Sequence, residues 1–145
     1  LRGFLESGLL LQQERYVAAS QKAADALLAR QRRNGSLAGR YDSEWRPAAR
    51  WSCLTGNSQM AIIWLRLFRV TGDSKYLRAA RRINRFQMSV QNLQATDSGI
   101  RGGIKGSYPI YGGYGTYEFL NWGTKFFADA LMLELRPTTY LGDDG

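Results

Sequence analysis

The sequence predicts an all-α protein built of antiparallel helical hairpins, and three observations carry that prediction. The chain reads twice. One copy runs from Leu5 through Gly35-Ser36-Leu37-Ala38-Gly39 to Thr55-Gly56-Asn57-Ser58-Gln59-Met60-Ala61, the other from Leu65 through Ser98-Gly99-Ile100-Arg101-Gly102-Gly103 to Asn121-Trp122-Gly123-Thr124-Lys125-Phe126-Phe127. Tyr16-Val17-Ala18-Ala19 answers Tyr76-Leu77-Arg78-Ala79-Ala80, and Gln31 answers Gln91. A period of about sixty residues that holds two helices and a Gly-rich loop marks a helical-hairpin array, whose single unit cannot bury its apolar face alone. Helices apolar on all sides also alternate with amphipathic ones, as an inner and an outer row would require. Finally, both long loops run from an amphipathic helix to the next apolar one, while the short turn Thr71-Gly72-Asp73 lies at the opposite end.

The elements follow in order. The first helix is expected over roughly Arg2 to Gln12. The second starts near Glu14 and is stopped near Arg33 by Asn34-Gly35, a left-handed C-terminal signal. The third starts after Thr55, runs through Met60-Ala61-Ile62-Ile63-Trp64-Leu65 and ends at Thr71-Gly72. With only Arg66 and Arg69 as charges, it is expected to be buried on every side. The fourth, capped by Asp73 or Ser74, runs to about Asn92, with Tyr76, Ala80, Ile83 and Val90 in one stripe and Arg78, Arg82 and Arg85 facing away. The fifth starts near Tyr117 and ends before Pro137; it resembles the third in apolarity and carries the same expectation of burial. Residues 1–137 form one expected domain and 138–145 a frayed tail.

Composition narrows the chemistry. The 145 residues are 44% hydrophobic, enough for one domain with a core of its own. The start at Leu1, partway into a repeat unit, suggests a processed product or an excised piece. No apolar run reaches the ~20 residues of a membrane span. The compartment stays open between cytoplasm and periplasm. The net charge of +8 suits a solvated basic surface or an acidic partner such as an anionic polysaccharide. The arginine clusters Arg30/Arg32/Arg33 and Arg78/Arg81/Arg82/Arg85 lack the interleaved aromatics of a single-strand nucleic-acid surface, so nucleic acid is not an expected partner. Cys53 is the only cysteine, which leaves no intrachain disulfide and no thiolate metal cluster; it reads as a small core residue. There is no histidine, which removes His-dependent nucleophilic catalysis and His metal sites from this chain. No cofactor or metal is implied, and no catalytic residue can be assigned.

Particular segments carry a family likeness. Thr71-Gly72-Asp73-Ser74-Lys75-Tyr76-Leu77-Arg78-Ala79-Ala80 resembles the hairpin turn of α/α-toroid proteins. Trp51-Ser52-Cys53-Leu54-Thr55-Gly56-Asn57-Ser58-Gln59-Met60-Ala61 resembles an inner-helix start there, and Gly102-Gly103-Ile104-Lys105-Gly106-Ser107 resembles a loop of the same group. The group includes six-hairpin glycosidases, polysaccharide lyases, sugar epimerases and terpenoid-cyclase-like repeats. The resemblance implies an α/α toroid; about five helices would make an incomplete ring of it. A terpenoid-cyclase role would need an acidic motif, and neither DDxxD nor DxDD occurs.

Candidate site residues come from the loops and inner-helix starts. The first loop offers Asp42, Glu44, Trp45, Arg46 and Trp51, a mixture that suits sugar stacking and hydroxyl binding, or simply a solvated loop pinned by two buried indoles. The second offers Asp97, Arg101, Lys105 and tyrosines every three residues, Tyr108, Tyr111, Tyr114 and Tyr117, among glycines, followed by Glu118. These tyrosines read equally as a sugar-binding rim or as the packing of an Ω-like lid. Tyr beside Arg or Lys would also suit proton abstraction next to a uronate. At the helix starts, where N-termini favour anions, Asn57, Asn121 and Trp122 are candidate substrate contacts, Thr55 and Asn57 also reading as simple caps, and Lys125–Asp129 reads as a buried or half-buried ion pair. The expected function is a carbohydrate-related module of a polysaccharide-acting protein, of lyase, hydrolase or epimerase type. The alternative is a non-catalytic binding or assembly module. Polysaccharide or oligosaccharide is the expected ligand. Apolar faces on the first helix (Phe4, Leu5, Leu9, Leu10) and the fifth (Phe119, Phe126, Phe127, Leu131) predict self-association or docking onto a larger toroid.

Overall fold

The computed structural model describes residues 1–136. The expected tail and the last residue of the expected domain lie outside the described residues. The protein is helical: α1 (Arg2–Leu10), α2 (Glu14–Leu28), α3 (Leu54–Thr71), α4 (Ser74–Val90) and α5 (Asn121–Leu135), with two two-residue strands, β1 (Ser52–Cys53) and β2 (Ser107–Tyr108). The strands pair antiparallel, Ser52 opposite Tyr108 and Cys53 opposite Ser107, and so join the two long loops.

The helix ends follow local chemistry. Gly72 closes α3 at φ 72°, donating its N–H to Phe68 C=O, and Asp73 then caps α4 by accepting from Lys75 N–H at 2.9 Å. That two-residue link folds α4 back against α3. Likewise α1 meets α2 where Gly8 lies so close to Val17 that a Cβ would approach it to 2.8 Å. The helix α2 ends five residues earlier than Arg33, because Arg30 and Gln31 N–H turn to the carbonyls of Leu27 and Leu28, three residues back. The cap of α3 is neither Thr55 nor Asn57 but Cys53, whose Sγ accepts from Gly56 N–H at 3.4 Å. Cys53 is therefore a partly buried helix cap, and its burial raises the thiol pKa.

Helix α3 is the hub. Ile62, Trp64, Leu65 and Leu67 on it are all buried, each worth about 1.5–3 kcal/mol. Trp64 also donates Nε1–H to Ala24 C=O at 3.2 Å across to α2. The amphipathic α4 buries Tyr76, Ala80, Ile83 and Phe86, as its period required. Tyr76 donates its hydroxyl to Asp25 at 2.8 Å, which ties α4 to α2, and burial raises its pKa. Glu6 pairs with Arg66 at 2.7 Å, Arg2 shares a cleft with Ile62, and Leu10 shares one with Val70. So α1 runs parallel to the second half of α3. The helix α5 lies parallel along another side of α3, with Gly123 beside Thr55 and Arg136 beside Arg69.

The sequence repeat is a structural repeat, hydrogen bond by hydrogen bond. Gln31 donates its side-chain amide to Gly35 C=O at 2.9 Å, and Gln91 donates to Gly102 C=O at 2.6 Å. Gly35 and Gly102 both sit at positive φ, 92° and 77°. Two residues on, Leu37 N–H donates to Asn57 Oδ1 and Ile104 N–H donates to Thr124 Oγ1, at 3.3 and 3.0 Å. Each loop thus returns to the start of the next helix and inserts an apolar side chain beside it.

The helix α5 differs from expectation in two ways. It starts at Asn121, because Tyr117 takes φ 61° and Leu120 stays extended, donating its own N–H to Ile104 C=O. And it is not buried on every side: Trp122, Met132 and Leu135 are exposed.

Candidate functional site

Both long loops lie at one end, over the starts of α3 and α5. The first places its candidates in two locations. Trp45, at φ 61°, packs half-buried against the main core beside Tyr41. Arg46 is exposed, bridging Asp42 at 2.7 Å and Glu44 at 2.9 Å. That arginine, with the Arg46 and Glu44 backbone N–H groups, holds the Asp42 carboxyl below the usual carboxylate range. The two carboxylates are therefore engaged in closing the Tyr41–Pro47 bridge. Trp51 sits between the loops. Its ring lies against Gly39 and Gly113, where added Cβ atoms would come within 2.2 and 3.2 Å, and its Cβ lies against Gly112, where one would come within 2.8 Å. Arg40 lies over the same indole, 5.6 Å from its centroid.

Asn57 lies beneath, 1% exposed. Its amide is fully used inside: Oδ1 accepts from Leu37 N–H and Nδ2 donates to Ser52 Oγ at 3.0 Å. A cleft of about 200 Å³ opens beside it, lined by Leu27, Leu37, Tyr41, Cys53 and Met60 among others.

The second loop holds most of the candidates. Ser107, fully buried, donates its hydroxyl to Tyr114 C=O at 2.7 Å and accepts from Tyr114 N–H at 3.1 Å. Thr116 donates to Gly112 C=O at 2.7 Å, Tyr117 N–H to Ile110 C=O, and Gly106 N–H to Glu118 C=O. The loop therefore satisfies its backbone from within and does not need its aromatics for packing. They face out instead: Tyr111 is 65% exposed, Tyr117 69%, Tyr108 41% and Tyr114 38%. Tyr108 meets Phe86 edge-on at 5.6 Å. Trp122, 49% exposed, donates Nε1–H to Tyr114 Oη at 3.2 Å, so the α5 start and the loop share one aromatic rim. Glu118 and Asn121 are exposed beside it; Asn121 Oδ1 accepts from Trp122 N–H. Arg101 is exposed in the separate turn Asp97–Gly102, which the Asp97 carboxylate organises. The Lys125–Asp129 pair forms, its lysine exposed and its aspartate half-buried.

Sequence reasoning missed Ser107, which clamps the rim, and the glycines at 39, 112 and 113, which hold Trp51. A Gly-Gly pair next to aromatics was the available signal. Among the described residues no group of three or more His, Cys, Asp or Glu is placed to hold a metal, and no helix is long and apolar enough to cross a membrane. No family model, curated protein or solved structure matches the chain.

Proposed function

We propose that this chain is a carbohydrate-related module of a polysaccharide-acting α/α-toroid protein, of lyase, hydrolase or epimerase type, and that its aromatic rim holds sugar rings. One observation supports this above the others. An internally hydrogen-bonded loop presents Tyr111, Tyr114 and Tyr117, with Trp122, to solvent. Exposing that much aromatic surface on an ordered loop is unfavourable unless a ligand covers it. Aromatic faces suit the apolar faces of pyranose rings, and Glu118 and Asn121 offer polar contacts for hydroxyls. The resemblance to toroid inner-helix starts bears on the same end of the molecule. Titration calorimetry against neutral and uronate-containing oligosaccharides tests the reading. Tyr111→Ala and Tyr117→Ala should each weaken binding about tenfold, equivalent to about 1.4 kcal/mol, with helicity intact. Binding that is unchanged in both variants overturns it.

A second reading, a non-catalytic assembly module, is favoured by a different observation. With Gly123 matched to Gly56 and Thr124 to Asn57, the exposed Ala128, Met132 and Leu135 of α5 fall on Ala61, Leu65 and Phe68 of α3. Ala61 and Leu65 are 0% and 1% exposed, whereas Met132 and Leu135 are 62% and 81% exposed. The face that α3 buries is thus bare on α5. On α1, Phe4, Leu10 and Leu11 are bare as well. Self-association, or docking onto the rest of a larger toroid, would cover them. Sedimentation in dilute solution tests it; a monomer that binds no apolar dye overturns it.

A further inference from the structure

The outward side of α4 carries a row of arginines that the aromatic rim does not use. Arg78, Arg81, Arg82 and Arg85 are all exposed, because Tyr76, Ala80, Ile83 and Phe86 claim the opposite side of the helix. At about 1.5 Å rise per residue, Arg78, Arg82 and Arg85 form a line about 10 Å long. The row continues onto the turn that follows α2. Arg82 Nη2 donates to Arg32 C=O at 2.9 Å, and Gly35 abuts the Arg82 carbonyl, which sets the exposed Arg33 alongside.

These cations are poorly compensated. Among the described residues, no carboxylate lies within ion-pair distance of Arg33, Arg78, Arg82 or Arg85; Arg81 reaches Glu134 only at 3.8 Å. Arg78 bonds the Ser74 hydroxyl and Arg85 its own helix's Arg81 carbonyl at 3.4 Å, so neither is held by an acid. Asp73 lies within electrostatic reach of Arg78 but is engaged by Lys75. Like charges held this close repel, and the repulsion is relieved by a partner with a matching line of anions. Guanidinium forks match carboxylates in pairs of hydrogen bonds. Among the described residues no aromatic ring stands between the arginines to stack on a base.

We propose that the α4 arginine row docks an acidic polysaccharide, a uronate-bearing chain laid along the helix on a side distinct from the aromatic rim. The inference rests on the carbohydrate reading for the class of polymer but on different residues. Arginine-to-glutamine changes and tyrosine-to-alanine changes therefore separate the two.

Affinity electrophoresis in gels containing polygalacturonate, neutral dextran or single-stranded DNA tests it. Polygalacturonate should retard the protein, the retardation should fall steeply with added salt, and DNA should retard it more weakly. Arg78→Gln/Arg82→Gln/Arg85→Gln should weaken retention by polygalacturonate at least tenfold. Arg78→Gln/Arg85→Gln, which leaves the Arg82–Arg32 bond in place, should weaken it at least threefold with the circular dichroism spectrum unchanged. Arg78→Gln/Arg85→Gln should leave calorimetric binding of short neutral oligosaccharides at the rim unchanged. Retention by polygalacturonate that is lost in Tyr111→Ala/Tyr117→Ala and kept in the arginine variants would place the polymer on the rim and overturn the proposal. So would retention by DNA equal to or stronger than by polygalacturonate, no retention by polygalacturonate, or undiminished retention in a folded double variant.

Discussion

Removing the Asn57 side chain should destabilise the fold without touching ligand contacts. In Asn57→Ala two buried partners are stranded: the Leu37 N–H loses its acceptor and the Ser52 hydroxyl its donor. An orphaned buried N–H costs about 1–3 kcal/mol, and the space left by the amide adds about 1 kcal/mol. The expected loss is therefore about 2–4 kcal/mol. In a domain of this size each kcal/mol moves Tm by about 2–4 °C, so a fall of about 5–15 °C is expected. Urea unfolding should show a lower midpoint at unchanged slope, because the surface exposed on unfolding barely changes. The repeat supplies an internal control. Thr124→Val removes the acceptor of Ile104 N–H with almost no change of volume and should cost about 1–2 kcal/mol. Oligosaccharide binding per folded molecule should be unchanged in both variants. A loss below about 0.5 kcal/mol in both would mean that the loop returns are solvated, and the account of the repeat would fail. Weaker oligosaccharide binding in folded Asn57→Ala would make that amide a ligand contact after all.

Three further outcomes are expected. Gly39→Ala drives a Cβ into the Trp51 ring, which also touches Gly113; it should cost about 1–3 kcal/mol and shift the tryptophan emission to the red, and an unchanged spectrum would show that the indole has room. Asp42 has a depressed pKa in the folded chain, so its contribution is present above the ordinary value of 3.8 and is lost as pH falls below it toward the folded pKa; the Trp45 environment, followed by fluorescence, should loosen in that acid range and not in Asp42→Asn, which lacks the titration. Met132→Glu/Leu135→Glu places charges on the bare face of α5 and should abolish any self-association seen by sedimentation while leaving the unfolding midpoint within about 0.5 kcal/mol; an undiminished oligomer would place the interface elsewhere.

What the residues announced in advance, and what they did not, divides along a physical line. Interactions closed within a few residues were legible. Gly72 and Asp73 stop one helix and start the next using groups at most four residues away, and the apolar period of α4 fixes its buried side. The duplication was legible too, because Gln31 and Gln91, with the glycines after them, perform the same bond twice. Interactions closed across the chain were not. The start of α5 waits on Leu120 pairing with Ile104, and Asn57 serves Leu37 rather than its own helix. Tyrosines at every third position among glycines are compatible with facing inward or outward; the buried hydroxyl of Ser107, by satisfying the loop from beneath, is what leaves them outward. The apolar face of α5 shows a further limit. An amphipathic or apolar pattern states that a face needs cover, but it does not state that the same chain supplies it. In α3 the cover is present and Leu65 is buried; at the matching position of α5 it is not, and Met132 stands in solvent. The same residue pattern thus yields core in one repeat and surface in the next. The second repeat thus departs from the first at the rim around Trp122 and along the bare side of α5.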